Sequence, residues 1–135
     1  MAYSRTIDQY RKSSIGAASP LQLVVMLYDG ALRFMEAGKH AMASGDTYAQ
    51  NDNLTKAERI VTELLSTLDM TQGGQVAENL FSLYTYVYDS LVEANIEDKP
   101  EKIDECVQIF SDLRESWVEL ERKLREGAMG DGRAA

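Results

Sequence analysis

Proline occurs at only two of the 135 positions, Pro20 and Pro100, and each stands near the start of an apolar pattern with helical spacing. Proline is tolerated in the first turn of a helix, where no backbone N–H is required, and breaks a helix interior. Everything between and beyond these two positions is therefore free to form long helices, and the abundance of Ala, Leu, Glu, Lys and Gln favours them. Ser19-Pro20-Leu21-Gln22 joins a capping hydroxyl, a first-turn proline and a Gln three residues after the cap. Asp98-Lys99-Pro100-Glu101 repeats the theme with an acidic first turn.

The spacing predicts four helices. The first runs from Pro20 to about Ala43, where Ser44-Gly45 offers a left-handed terminus. The second runs from about Ala49 to Met70, with Leu54, Ala57, Val61, Leu64, Leu65 and Leu68 on one stripe and Gly73-Gly74 as its end. The third covers about Gln75 to Ala94, with Leu80, Tyr84, Val87, Leu91 and Ala94 facing inward and Asn95 as its stop. The fourth reaches about Arg125 on a stripe of Ile103, Cys106, Val107, Phe110, Leu113, Trp117, Leu120 and Leu124. Short connections make sequential helices antiparallel. The expected fold is all-α: an antiparallel up-down-up-down four-helix bundle over residues 19–126. Residues 1–18 are expected to be a mobile N-terminal arm, and residues 127–135 a disordered tail with too little apolar surface to bury.

Several functions are disfavoured by what the sequence lacks. A net charge of −8 repels a nucleic-acid backbone. One cysteine, Cys106, permits neither an intrachain disulfide nor a multi-thiol metal site, and suits a reducing compartment. No apolar run is long enough for membrane insertion, and the first residues lack the apolar stretch of a secretory signal, so a cytoplasmic location is expected. His40 is the single histidine, and no Glu-x-x-His motif exists, so no metal ligands are assigned. Glu36 and His40 sit one turn apart on a polar face and are read as a solvated pair. The acid pairs Asp104/Glu105 and Glu119/Glu121 belong to a charged outer face. No catalytic residue and no cofactor is expected, and the chain is read as a binding protein rather than an enzyme.

Helices 1 and 3 carry more apolar residues than one core stripe requires. Beside its central row of Val24, Leu27, Tyr28, Ala31 and Met35, helix 1 bears a flank of Leu21, Val25 and Leu32 and another of Leu23, Phe34 and Ala41. Helix 3 adds Phe81, Tyr88 and Val92. Such flanks either pack in the core of two central helices or form a groove for a partner, and periodicity alone leaves both readings open.

Particular residues carry more than periodicity. Ser19-Pro20-x-x-Leu23, then Met26-Leu27-Tyr28-Asp29-Gly30-Ala31, then Asn53-Leu54-x-Lys56-Ala57-x-x-Ile60-Val61-x-x-Leu64 follow one another in order. Leu68-Asp69, Gly73-Gly74, Ala77-x-Asn79-Leu80-x-x-Leu83-Tyr84, Leu91-x-x-Ala94-Asn95 and Trp117 continue the series. Together they resemble the flagellin-specific export chaperone family of bacteria over roughly residues 3 to 120. Tyr86 and Tyr88 add aromatics around the family-like Leu83-Tyr84. The resemblance implies a bundle that binds the C-terminal segment of flagellin in the cytosol, prevents premature polymerisation, and docks on the cytosolic domain of the flagellar export gate. The candidate flagellin contacts are Leu21, Val25, Tyr28 and Leu32 of helix 1 with Phe81, Tyr84, Tyr88 and Val92 of helix 3. Ile7 and Tyr10, three apart in the arm, resemble the family's gate-docking feature. Two other classes use the same apolar flanks: a regulator that sequesters a helix of a transcription factor, and a structural bundle that self-associates.

Overall fold

The structure is a computed structural model that describes residues 19–134, with side chains described through Gly127. Its elements are α1 (Pro20–Ser44), α2 (Thr47–Ser66), α3 (Gly74–Glu97) and α4 (Pro100–Ala134). Each helix packs on the next and α4 closes back on α1, which gives the ring order α1, α2, α3, α4. Cross-links fix the directions. Gln22 reaches Glu121, Asp29 pairs with Arg114, and Lys39 pairs with Asp104, so α1 and α4 run antiparallel. On the facing seam Tyr86 bonds Glu105 and Lys102 bonds Glu93, which sets α3 against α4 in the same sense. The up-down-up-down bundle read from the sequence is the fold observed.

The helix starts are those the caps predict. Ser19 Oγ accepts from Gln22 N at 3.1 Å and Gln22 Oε1 accepts from Ser19 N at 2.8 Å, a complete capping box. Gly45 closes α1 at φ 75°, a left-handed angle that glycine adopts without strain, and Asp46 caps α2 by accepting from Ala49 N. At this end of the bundle Gln50 Nε2 donates to Asn95 and Asp98, and Asn95 Nδ2 donates to Asn51, tying α2 to the α3–α4 corner.

Four boundaries depart from the sequence expectation. α2 ends at Ser66 rather than Met70, because Ser66 and Thr67 turn their hydroxyls back onto the carbonyls of Glu63 and Leu64 and Asp69 folds the chain after them. Gly73-Gly74 consequently opens α3 instead of ending α2. α3 passes Asn95 and stops at Asp98, which holds a left-handed φ of 54°. α4 runs through Gly127, Gly130 and Gly132 to Ala134, since each glycine weakens a helix by about 1 kcal/mol without ending it unless the backbone turns left-handed.

The core is built around three rings, Tyr28 of α1, Tyr84 of α3 and Phe110 of α4, with Tyr28 and Phe110 centroids 4.9 Å apart. Leu64, Leu80 and Phe110 are buried as the stripes require, whereas Trp117 is only half-buried and Leu120 and Leu124 are exposed. The reason is positional. Those last three stand on the part of α4 opposite the start of α1, where the bundle opens. Cys106 is fully enclosed against Val87, and burial pushes its thiol up to about 12, which leaves it an inert core residue.

Candidate functional site

The open end is formed by the start of α1, the end of α2 with its following turn, the start of α3 and the second half of α4. There the bundle encloses an apolar cavity of about 460 Å³, the size range of ligand and side-chain pockets. Leu21, Leu23, Val24 and Leu27 line it from α1, Val76, Ala77, Leu80 and Tyr84 from α3, Leu68 from the turn, and Trp117 from α4. It continues in two directions. Between α3 and α4 a groove of about 300 Å³ runs past Leu83, Leu113 and Leu120. Between α1 and α4 a second of about 520 Å³ runs past Pro20, Leu21 and Leu124. Val76 is 66% exposed and Leu124 57%, so the rim presents apolar carbon to water.

The turn between α2 and α3 shapes one wall. Asp69 Oδ1 accepts from Thr71 N, from the Thr71 hydroxyl and from Gln72 N, and the hydroxyl bond foremost holds its carboxyl below the usual aspartate range. Gly73 N then donates to Asp69 O at 2.7 Å, and a Cβ on Gly73 would stand 2.5 Å from both that oxygen and Ala77 Cβ. Beside the cavity lies a polar cluster: Tyr28 Oη and Tyr84 Oη are 2.5 Å apart, and Trp117 Nε1 donates to Tyr28 Oη at 3.0 Å. Burial raises the pKa of both tyrosines, so they stay protonated at neutral pH.

The eight flagellin contacts expected from the sequence do not converge on one groove. Leu21 and Tyr84 line the cavity. Tyr28 is 0% exposed and packs in the core, with its hydroxyl bonded to Tyr84 and Trp117. Val25 and Leu32 share a helix face with Gln22 and Asp29, whose partners are on α4, and they are half-buried in the α1–α4 seam. Phe81, Tyr88 and Val92 share a face with Asn95, whose partners are on α2, and Phe81 is 48% exposed on that α2–α3 side. The two flanks therefore lie on opposite seams of the ring. Ile7 and Tyr10 fall outside the described residues. Val24, Leu68, Val76 and Trp117, which complete the cavity, were not among the expected contacts.

Among the described residues no helix is long and apolar enough to cross a membrane, and no group of His, Cys, Asp and Glu is placed to hold a metal ion. The chemistry available at the open end is that of binding: an apolar cavity with few polar groups on its wall.

The family model for the flagellar protein FliS matches residues 3–124. The chain belongs to the FliS family. The flagellar secretion chaperone FliS of Bacillus subtilis is 32% identical over 133 residues, covering 96% of this chain and 98% of that protein. The flagellar secretion chaperone FliS of Campylobacter jejuni is 35% identical over 113 residues, covering 84% and 88%. A solved structure of a flagellar chaperone from bacteria superposes with a TM-score of 0.73 at 18% identity, over 89% of this chain and 98% of that one, and supports the bundle fold. The FliS match covers α1, α2 and α3, reaches Leu124 within α4, and includes every residue that lines the open-end cavity.

Proposed function

We propose that this FliS-family chain is a flagellar secretion chaperone that acts in the cytoplasm. It captures the C-terminal segment of flagellin, keeps it from polymerising early, and delivers it to the export gate. The observation that carries this reading is the FliS match over residues 3–124, with relatives that are themselves flagellar secretion chaperones. The open apolar cavity supports it, because a cargo segment that is disordered before capture needs apolar contact to offset its ordering entropy. The segment enters at Leu21 and Tyr84 and continues over the flank of exposed Phe81 and Tyr88 and half-buried Val92 on the α2–α3 side. A wrapped, extended cargo reaches both places, whereas one short helix does not. Ile7 and Tyr10 contact the gate. The role is one of binding, with no catalytic step.

Light scattering distinguishes this from a self-associating bundle. The chaperone reading expects a chain that forms a one-to-one complex when flagellin is added. Growth to larger species without flagellin, and no complex with it, would favour the structural alternative.

A further inference from the structure

The acids of α3 are Glu78, Asp89, Glu93 and Glu97, and the helix contains no Lys, Arg or His. Lys102 of α4 bonds Glu93, and Lys99 pairs with Glu97. Glu78 and Asp89 are exposed, and neither forms an ion pair with a described residue. On the facing helix α2, Lys56 pairs with Asp52 instead. Glu78 and Asp89 stand about three helical turns apart, so they lie on one line separated by about 16 Å. Glu78, Phe81, Tyr88, Asp89, Val92 and Ile96 fall within about 100° of the helix circumference. Phe81, Tyr88 and Ile96 are exposed, and Phe81 stands one turn beyond Ala77 of the cavity wall. The strip therefore begins where the cavity ends, and it sets exposed apolar carbon between two negative charges that lack a partner among the described residues.

We propose that this strip of α3 is a docking surface for the part of the cargo segment that lies beyond the cavity, and that this part carries two basic side chains about 16 Å apart with apolar residues between them. The inference deepens the flagellin-capture reading and rests on it. A wholly apolar segment would cover the strip and take water from both carboxylates without replacing it, which is costly. A basic side chain at each acid offsets that cost while the apolar residues meet Phe81 and Tyr88. A second copy of the chain suits the strip poorly. A two-fold contact sets α3 against α3, acids against acids with no cation on either helix, and each copy carries a net charge of −8. In an extended cargo the two cations stand about five residues apart, at about 3.3 Å per residue.

The test is titration calorimetry of the full chain with a synthetic peptide of the C-terminal segment of the organism's own flagellin, at low and at high salt. Glu78→Gln combined with Asp89→Asn removes both charges and keeps both shapes. This double variant is expected to bind about fivefold more weakly than wild type at low salt, and within about twofold of it near 0.5 M salt, where surface charges are screened. Glu36→Gln combined with Glu101→Gln removes the same net charge from exposed positions on α1 and α4, and is expected to bind as wild type does. Replacing each Lys and Arg of the peptide by Gln in turn locates the partners. Two replacements are expected to cost the wild-type chain about twofold each at low salt and to leave the affinity of the double variant unchanged. Equal affinity of the double variant and wild type at low salt overturns the inference, as does an equal loss in the control, which assigns the effect to net charge alone. A gain in affinity also overturns it, and assigns the strip to the chain's own residues 1–18, where Arg5, Arg11 and Lys12 would compete with cargo. If the double variant does not fold, the wild-type chain decides alone: no salt-sensitive basic position in the peptide overturns the inference. Failure of the unmodified peptide to bind the wild-type chain overturns the flagellin reading, and this inference with it.

Discussion

Glu63 is 4% exposed, and its Oε2 has no hydrogen-bond partner among the described residues. Desolvation raises its pKa in the fold above the unfolded value. For a carboxyl shifted in that direction the burial cost is fully present above the folded pKa. It shrinks as pH falls through that value, because the folded form takes up the proton first, and it is gone below the unfolded pKa. Glu63→Gln is therefore expected to raise the unfolding free energy by on the order of 1 kcal/mol at neutral pH, with the gap closing as pH falls toward about 4. Urea denaturation across that range checks it, and a Gln variant less stable than wild type at neutral pH would contradict the assignment. Nothing in the local sequence Thr62-Glu63-Leu64 marks this burial, since a lone glutamate beside a core stripe reads as solvated. Tyr28 and Tyr84 were similarly ambiguous. Their helical positions identify them as core, but which hydroxyl faces another hydroxyl depends on two helices that lie diagonally across the ring.

At the scale of elements, helix starts were legible and helix ends less so. Ser19 with Gln22, and the position of Pro100, state their role through local chemistry alone. The α2–α3 turn did not, because its path depends on Asp69 gathering two N–H groups and a hydroxyl rather than on the glycines that follow. That turn decides whether the cavity exists, since it carries Leu68 and places Val76 on the rim. Gly73→Ala brings a methyl group to 2.5 Å from Asp69 O and from Ala77 Cβ, and neither the backbone oxygen nor a Cβ can rotate away. Thermal unfolding is expected to show a loss of about 1–3 kcal/mol. An unchanged melting temperature would mean that the turn adopts another path. The opposite placement of the two apolar flanks was hidden for a related reason: a helical wheel assigns an angle within one helix, and only packing says which neighbour lies there.

For the whole molecule, the bundle and its family were readable before any coordinates, whereas the location of the cavity required the ring order of the helices and the open end. The proposed gate contact at Ile7 and Tyr10, outside the described residues, is tested separately. Ile7→Ala combined with Tyr10→Ala is expected to leave helicity and flagellin binding nearly intact while weakening association with the cytosolic domain of the export gate about tenfold or more. Unchanged gate binding in a titration would reject that role. The central claim, that flagellin's C-terminal segment is held in the open-end cavity, is tested most directly at Val76. This residue is 66% exposed on the cavity rim in the first turn of α3, where an aspartate also suits the helix dipole, so Val76→Asp leaves the fold intact. The decisive measurement is the calorimetric affinity of Val76→Asp for that segment beside that of the wild-type chain. A loss of about tenfold or more is expected from placing a charge in a cavity that the cargo dries, and undiminished affinity would contradict the account.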